Sequence, residues 1–382
     1  MRIEFNPSRA TSGSVHRRGV VQLGDLGVGN GLPICLIAEA GVNHNGDIDM
    51  ALEMIDVAAE AGADFVKFQA FCADDLVTED TAPAAYQQRA TKTRTQRELL
   101  GRLELAAGAI ARLKDHCAAR RIGFIATPFG PKDLDMLVDL GVTVIKIGSC
   151  DLTDRILLDR AIRTNLPLIL STGAATETEI EATVDHLINR GCAERIVLLH
   201  CVCAYPTPVD RINLRRIAAL ADRFGLPVGF SDHSRSVVSG GLAAAAGACV
   251  IEKHFTLDRN RPGPDQTASL EPDELTEYIN HVRRVETLLG GGQIDPQPIE
   301  QDARHAARKF LVAATDLQPG DVIHPQTIAA KRTGGGICPM FIDMVIGSVV
   351  TRPVTRDLPI LWSMIRTETP AGAENSHQLQ PA

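Results

Sequence analysis

Hydrophobic positions along the chain fall into short continuous runs. Each ends abruptly in polar or ionisable residues and is followed by an amphipathic stretch. Eight runs repeat this pattern: 34–38 ending at Glu39, 65–68 with Lys67 and Gln69, 122–126 ending at Thr127 and Pro128, and 142–147 with Lys146 and, just beyond it, Ser149. The others are 167–170 ending at Ser171-Thr172-Gly173, 196–199 ending at His200 and Cys201, 227–230 ending at Ser231, and 248–251 ending at Glu252. Such runs are what parallel strands buried on both faces require. Between them lie readable helices. Asp47 is placed to cap the first, which turns Met50, Met54, Ile55 and Ala58 inward. Thr176 with Glu179 forms a capping box ahead of the stripe Ile180, Val184, Leu187 and Ile188, and Gly191 stops that helix. Pro272 opens the last one, with Leu275, Tyr278, Ile279, Val282, Val285 and Leu289 on its apolar face.

Eight strand–helix units predict an α/β fold, a (β/α)8 TIM barrel over residues 23–289, with a doubly wound open sheet as the alternative. Residues 72–100, rich in Asp, Thr and Gln, interrupt the rhythm after the second strand and read as a rim loop over the substrate. The Gly-, Pro- and Gln-rich stretch 290–306 reads as a linker. Short strand-like runs at 310–313, 321–323 and 345–349 predict a small β-rich domain over 307–366, and 367–382 a disordered tail. For residues 1–22 the pattern makes no prediction beyond a short hairpin or partial disorder.

In such a barrel, chemistry sits where strands end at the C-terminal rim. That rim carries Glu39, Lys67, Gln69, Lys146, Ser149, Ser171, His200, Ser231, His233 and His254. Side chains two apart on a strand share a face, so Lys67 goes with Gln69, Ser231 with His233, and Glu252 with His254, while Lys253 points away. Lys67, Lys146, Ser149, Ser171 and Ser231 offer charge and hydroxyl donors for a phosphate. His233 and His254 can share one divalent ion. Two imidazoles are fewer than the three protein ligands usual for catalytic zinc, so Mn2+ is expected, with Mg2+ or Co2+ next. Glu39 and Glu252 are placed to move protons or orient water.

The 382 residues carry a net charge of −8, which argues against a nucleic-acid or anionic-membrane surface. Nine cysteines without regular spacing predict reduced thiols and a cytoplasmic setting. The arginines near the N-terminus precede no apolar signal segment, and no run reaches the roughly 18 residues of a membrane span.

The ordered motifs Ile37-Ala38-Glu39-Ala40-Gly41-Val42-Asn43-His44-Asn45-Gly46, Val66-Lys67-Phe68-Gln69, Lys146-Ile147-Gly148-Ser149 and Ser171-Thr172-Gly173 continue with His200-Cys201 and Tyr205-Pro206-Thr207-Pro208. Ser231-Asp232-His233, Glu252-Lys253-His254-Phe255 and Gly263-Pro264-Asp265 complete the series. Together these resemble the N-acetylneuraminate (sialic acid) synthase family, and Lys331-Arg332 with Gly334-Gly335-Gly336-Ile337 and Pro339 resembles its C-terminal antifreeze-like (SAF) domain.

The resemblance implies a metal-dependent condensation of phosphoenolpyruvate (PEP) with the open-chain aldehyde of N-acetylmannosamine and water, giving N-acetylneuraminate and phosphate by C–O cleavage. Legionaminic or pseudaminic acid synthesis from a related acetamido sugar is the near alternative. A Schiff-base aldolase with Lys146 as nucleophile is the remote one. It further implies that Glu39, Glu252, Lys67 and Lys146 are catalytic, that Lys67, Gln69, Lys146, Ser149, Ser171 and Ser231 hold PEP, and that His233 and His254 hold the metal. Asp151, Tyr205 and Asp265 would face the sugar, joined by Arg332 reaching over from the partner of a domain-swapped homodimer. The chain departs from the family at Cys203, where Ser, Thr or Asn is usual, and at Asp151, where Glu is usual.

Overall fold

The structure, a computed structural model, describes residues 19–84, 87, 88 and 91–367. It divides into two compact units, one up to Gly291 and one from Gly292. The first opens with an antiparallel hairpin, β1 (Val21–Leu23) and β2 (Leu26–Val28). Eight parallel strands follow: β3 (Cys35–Gly41), β4 (Phe65–Ala70), β5 (Gly123–Pro128), β6 (Ile145–Ile147), β7 (Leu168–Ser171), β8 (Ile196–Cys201), β9 (Val228–Asp232) and β10 (Val250–His254). They hydrogen-bond in the order β5-β4-β3-β10-β9-β8-β7-β6, and β5 and β6 adjoin at the remaining seam. Each strand leads to a helix: Ile48–Ala61, Ala107–Arg120, Pro131–Asp139, Arg155–Arg163, Glu177–Ile188, Arg215–Phe224, Ser239–Ala245 and Pro272–Leu289. This is the predicted (β/α)8 barrel.

The helix signals work as read. Asp47 accepts from the backbone N–H groups of Asp49 and Met50, Thr176 and Glu179 close their capping box, and Pro272 sits in the first turn. Two stripe positions differ: Ile188 and Leu289, at or next to the last residues of their helices, are exposed.

Strand periodicity builds the barrel interior. The lower row comprises Cys35, Ile37, Phe65, Ile125, Val144, Ile169, Val197, Leu199 and Val250, packed with Val21, Leu23 and Val28 of the hairpin. The hairpin thereby closes the N-terminal end of the barrel with apolar side chains. Two residues further along the same rows stand Glu39, Lys67, Thr127, Lys146, Ser171, Cys201 and Glu252. Each fully buried aliphatic side chain stabilises by roughly 1.5–3 kcal/mol. The apolar lower rows, and the larger layer between sheet and helices, offset the cost of burying ionisable groups above them. Gly229 carries no side chain in this interior because a β-carbon there would lie 2.3 Å from the Val250 carbonyl oxygen.

The strands run two or three residues beyond most of the apolar runs, so the polar tips belong to the sheet rather than to loops. The insertion after β4 is not a plain polar loop. It forms short helices Ala73–Leu76 and Gln96–Gly101, and Leu99 and Leu103 pack with Val42 and Phe71.

The second unit pairs β11 (Lys309–Ala313) with β12 (Ile328–Arg332), and β13 (Val349–Val350) with β14 (Ile365–Arg366), all antiparallel. Its core includes Leu311, Leu317, Ile323, Val345, Val350 and Ile360. The run at 345–349 is not one strand, since Val345 ends the helix Ile342–Val345, and 321–323 contributes only a bridge between Val322 and Val349. The stretch expected as linker contains a helix, Gln301–Ala307. The tail expected to be disordered lies, from residue 368 on, outside the described residues.

Candidate active site

The interior rows end in one cavity of about 550 Å3 at the C-terminal rim of the barrel. Its lining includes Glu39, Lys67, Gln69, Lys146, Ser149, Asp151, Ser171, Tyr205, Ser231, His233, Glu252, His254 and Asp265. Of the candidate site residues only Arg332 stands elsewhere, exposed at the end of β12 in the second unit. His200, grouped with the rim in the sequence, turns outward. Its Nε2 bonds the Ile212 carbonyl at 2.7 Å and its ring stacks on Phe230.

Two buried lysines organise the floor. Lys67 Nζ lies 2.8 Å from Glu39 Oε2 and donates to Thr127 Oγ1 at 3.1 Å. Lys146 Nζ donates to Ser171 Oγ at 2.7 Å. Glu252 faces both: its Oε2, buried without a hydrogen bond, is 3.8 Å from Lys67 Nζ and 3.9 Å from Lys146 Nζ. Its Oε1 accepts from Ser231 Oγ at 3.0 Å.

These neighbours drive the two carboxyls apart. Burial pushes Glu39 up to about 7, against the pull of Lys67. Burial opposes the charge of Glu252 too, but Lys146 and Lys67 together hold it below the usual carboxylate range. Burial lowers Lys146, whereas Lys67 stays raised because two carboxylates outweigh its own burial. A carboxyl poised near neutrality beside one held ionised is the arrangement that separates proton transfer from charge stabilisation. Elsewhere in the cavity lining, burial raises both Asp151 and Asp265 to about 6.

The histidines stand together, ring centroids 5.3 Å apart, with Tyr205 stacked on His233 at 4.4 Å. His233 Nδ1 contacts the Val202 carbonyl at 2.8 Å. A carbonyl only accepts, so Nδ1 carries the proton and Nε2 keeps a lone pair. Burial lowers both imidazoles, His254 well below its ordinary value, and the neutral ring is the form that binds metal. His254 Nδ1 is buried with no hydrogen-bond partner. Among the described residues no three His, Cys, Asp or Glu side chains group around one point. Two neutral imidazoles side by side, one with an unpartnered buried nitrogen, are a donor set that fits an ion whose shell water and substrate complete.

Behind the site, Lys253 faces outward as predicted. Its Nζ lies 3.2 Å from Asp232 Oδ2 and bonds the Ser234 carbonyl, and Tyr278 donates to Asp232 Oδ2 at 3.1 Å. This buried pair joins β9 to β10 and so ties together the strands that carry the histidines.

Residues 54–294 match the model of the NeuB family, and residues 308–366 match the SAF domain. The chain belongs to the NeuB family. It is 39% identical over 324 residues to an N,N'-diacetyllegionaminic acid synthase of Campylobacter jejuni, a match covering 84% of this chain and 97% of that protein. It is 38% identical over 341 residues to the enzyme of the same name in Legionella pneumophila, covering 88% and 96%. A solved N-acetylneuraminic acid (sialic acid) synthetase from Leptospira borgpetersenii, in complex with citrate, is 36% identical with a TM-score of 0.69, covering 76% of this chain and 98% of that one.

The segment 72–100, read from the sequence as a rim loop, does border this NeuB-family cavity, but the apolar face it presents was not read. Phe71, Leu76, Leu99, Leu100, Leu103 and Phe129 form an apolar wall opposite the ionisable floor. The signal was there, since Leu99, Leu100 and Leu103 are spaced as one helix face inside a segment that otherwise reads as polar. Cys150 and Cys203 also line the cavity.

Proposed function

We propose that the chain condenses PEP with the open-chain aldehyde of a 2,4-diacetamido-2,4,6-trideoxyhexose, giving a nine-carbon 2-keto acid of the N,N'-diacetyllegionaminic type. Carbon 3 of PEP bonds to the aldehyde carbon, whose oxygen takes a proton. Water adds at carbon 2, and the bond from that carbon to the phosphate oxygen breaks. One water is consumed and inorganic phosphate leaves.

Lys67, Lys146, Gln69, Ser149, Ser171 and Ser231 hold the carboxylate and phosphate of PEP, and the ionised Glu252 lies against the carbon that gains positive character. Glu39, poised near neutrality, moves the proton between aldehyde oxygen and water. A divalent ion on His233 and His254, Mn2+ or else Mg2+ or Co2+, would supply Lewis acidity to the aldehyde. Tyr205, Asp151 and Asp265 take the sugar, and Arg332 of a partner subunit in a domain-swapped homodimer reaches its N-acetyl group.

The observation that carries the choice of sugar is the apolar wall. The methyl groups of a second acetamide and of a deoxygenated carbon 6 gain about 0.8 kcal/mol each by burial there. The hydroxyls of N-acetylmannosamine at those positions would lose water without a partner, at about 1–3 kcal/mol each. The legionaminic acid synthases among its relatives support the same reading. The test compares kcat/KM for the two sugars at saturating PEP, and a preference of at least tenfold for the diacetamido trideoxy sugar is expected. Equal values, or a preference for N-acetylmannosamine, would restore the sialic acid reading. Turnover that survives EDTA treatment undiminished would remove the metal from the account.

A further inference from the structure

Two thiols meet beside the cavity, whose lining includes Cys203. Cys201 ends β8 and Cys203 follows two residues later, at a tight turn in which the Ala204 N–H donates to the Val202 carbonyl. Both reach over Gly173, just beyond the end of β7. A β-carbon at Gly173 would lie 2.5 Å from each sulfur and 2.8 Å from Ser149 Oγ. The sulfurs therefore stand at most twice that first distance from each other, above a residue whose missing side chain leaves them room. Ser149 Oγ lies 3.1 Å from Cys201 Sγ and accepts from the Gly173 N–H at 3.1 Å, and Ser149 and Cys203 both line the cavity.

The pair is asymmetric. Cys201 is buried and Cys203 is exposed. The Cys201 thiol donates to Cys203 and draws its pKa down to about 6, with help from Ser149 and Lys146, while Cys201 is itself raised. That lowering favours the thiolate, the nucleophilic form, at Cys203 rather than at Cys201. Cys150, also exposed at the cavity, is pushed up to about 12 by burial and by Asp151.

We propose that Cys201 and Cys203 form a reversible thiol pair that hydrogen peroxide oxidises to a disulfide across the phosphate side of the cavity. Cys203 sulfur attacks one peroxide oxygen and the other leaves as water, giving a sulfenic acid. Cys201 sulfur then attacks that sulfenic sulfur and displaces a second water. Two thiols lose two electrons and two hydrogens, and one peroxide becomes two waters. Even fully extended, residues two apart span only about 6.6 Å between α-carbons, inside the roughly 6.8 Å a disulfide tolerates. The bridge would take Cys201 from Ser149 and occupy the space over Gly173. Competition between peroxide and a phosphate-bearing ligand follows, and that clause rests on the PEP reading of the site.

The experiment treats the full chain with hydrogen peroxide at pH 7, with and without inorganic phosphate, and follows intact mass and peptide maps. A loss of two hydrogens is expected in the peptide carrying both Cys201 and Cys203, restored by dithiothreitol. Phosphate at tenfold its half-saturating concentration should slow the reaction about tenfold. Cys203→Ser should abolish the change, and Cys201→Ser should halt it at the sulfenic acid, trapped by dimedone. First reaction at Cys150 or Cys72, or a sulfinic acid at Cys203 in the intact pair with no disulfide, would overturn the proposal. A disulfide that phosphate does not slow would keep the pair and overturn phosphate binding at this wall. Slowing without a disulfide would do the reverse.

Discussion

Glu39 and Glu252 face the same lysines and end with opposite acidities, because Glu252 lies between two cations while Glu39 has one in contact and the Glu252 charge adds to its burial. Glu39 has one cation in close contact, too little to compensate for burial, while Glu252 sits between Lys67 and Lys146 and gains from both. Asp265 shows the limiting case, a buried carboxyl near 6 with only Lys67 opposing. Its proton is held more tightly in the folded chain than at the ordinary 3.8, so between about pH 4 and pH 6 the native state binds more protons than the unfolded one. Stability attributable to this residue therefore falls as pH rises through that window, and the deficit is complete above it. Asp265→Asn should stabilise the fold at pH 8 by on the order of 2 kcal/mol, and hardly at all at pH 3.5, while impairing turnover. Urea unfolding at the two pH values measures this, and an unchanged midpoint at pH 8 would show that the carboxyl is not strained by burial.

At the scale of elements, the barrel was legible because a strand buried on both faces leaves a continuous apolar run. The register of its polar tips was legible because side chains alternate. Cys35, Ile37 and Glu39 form one inward row, and so do Phe65, Lys67 and Gln69. Most apolar runs stop short of the strand ends because polarity ends an apolar run without ending a ladder: Lys67 to Ala70 still pair with Ile125 to Pro128. His200 was misassigned for a related reason. A strand end offers two faces, and Cys201 took the inner one. In the second unit, strands of two to five residues leave too little periodicity, and β12 passed unseen between Pro325 and Gly334. The apolar wall was hidden by averaging, since Leu99, Leu100 and Leu103 are diluted by charged neighbours. That wall carries its own prediction. Leu100→Asn should lower kcat/KM for the diacetamido trideoxy sugar about tenfold, chiefly through KM, and leave KM for PEP near its original value. An equal rise in both KM values would place Leu100 outside sugar recognition.

At the scale of the whole molecule, the proposed reaction has an arginine of another subunit hold the sugar's N-acetyl group. Lys146→Met should disable the barrel that carries it, by about 10²–10³ in rate. Arg332→Ala should disable the barrel opposite. Mixing the two inactive proteins under conditions of subunit exchange should restore about a quarter of the wild-type rate, because half of the dimers then hold one intact site. No recovery, with exchange verified by mass, would return Arg332 to a role within its own subunit or to none.

In the proposed reaction water attacks PEP at carbon 2 and phosphate leaves by C–O cleavage. PEP labelled with oxygen-18 in the bridge between carbon 2 and phosphorus tests it in one turnover mixture with the diacetamido trideoxy sugar. The label should leave entirely in inorganic phosphate, read by mass spectrometry or by the phosphorus-31 isotope shift. Unlabelled phosphate, formed by breaking the P–O bond instead, would contradict it.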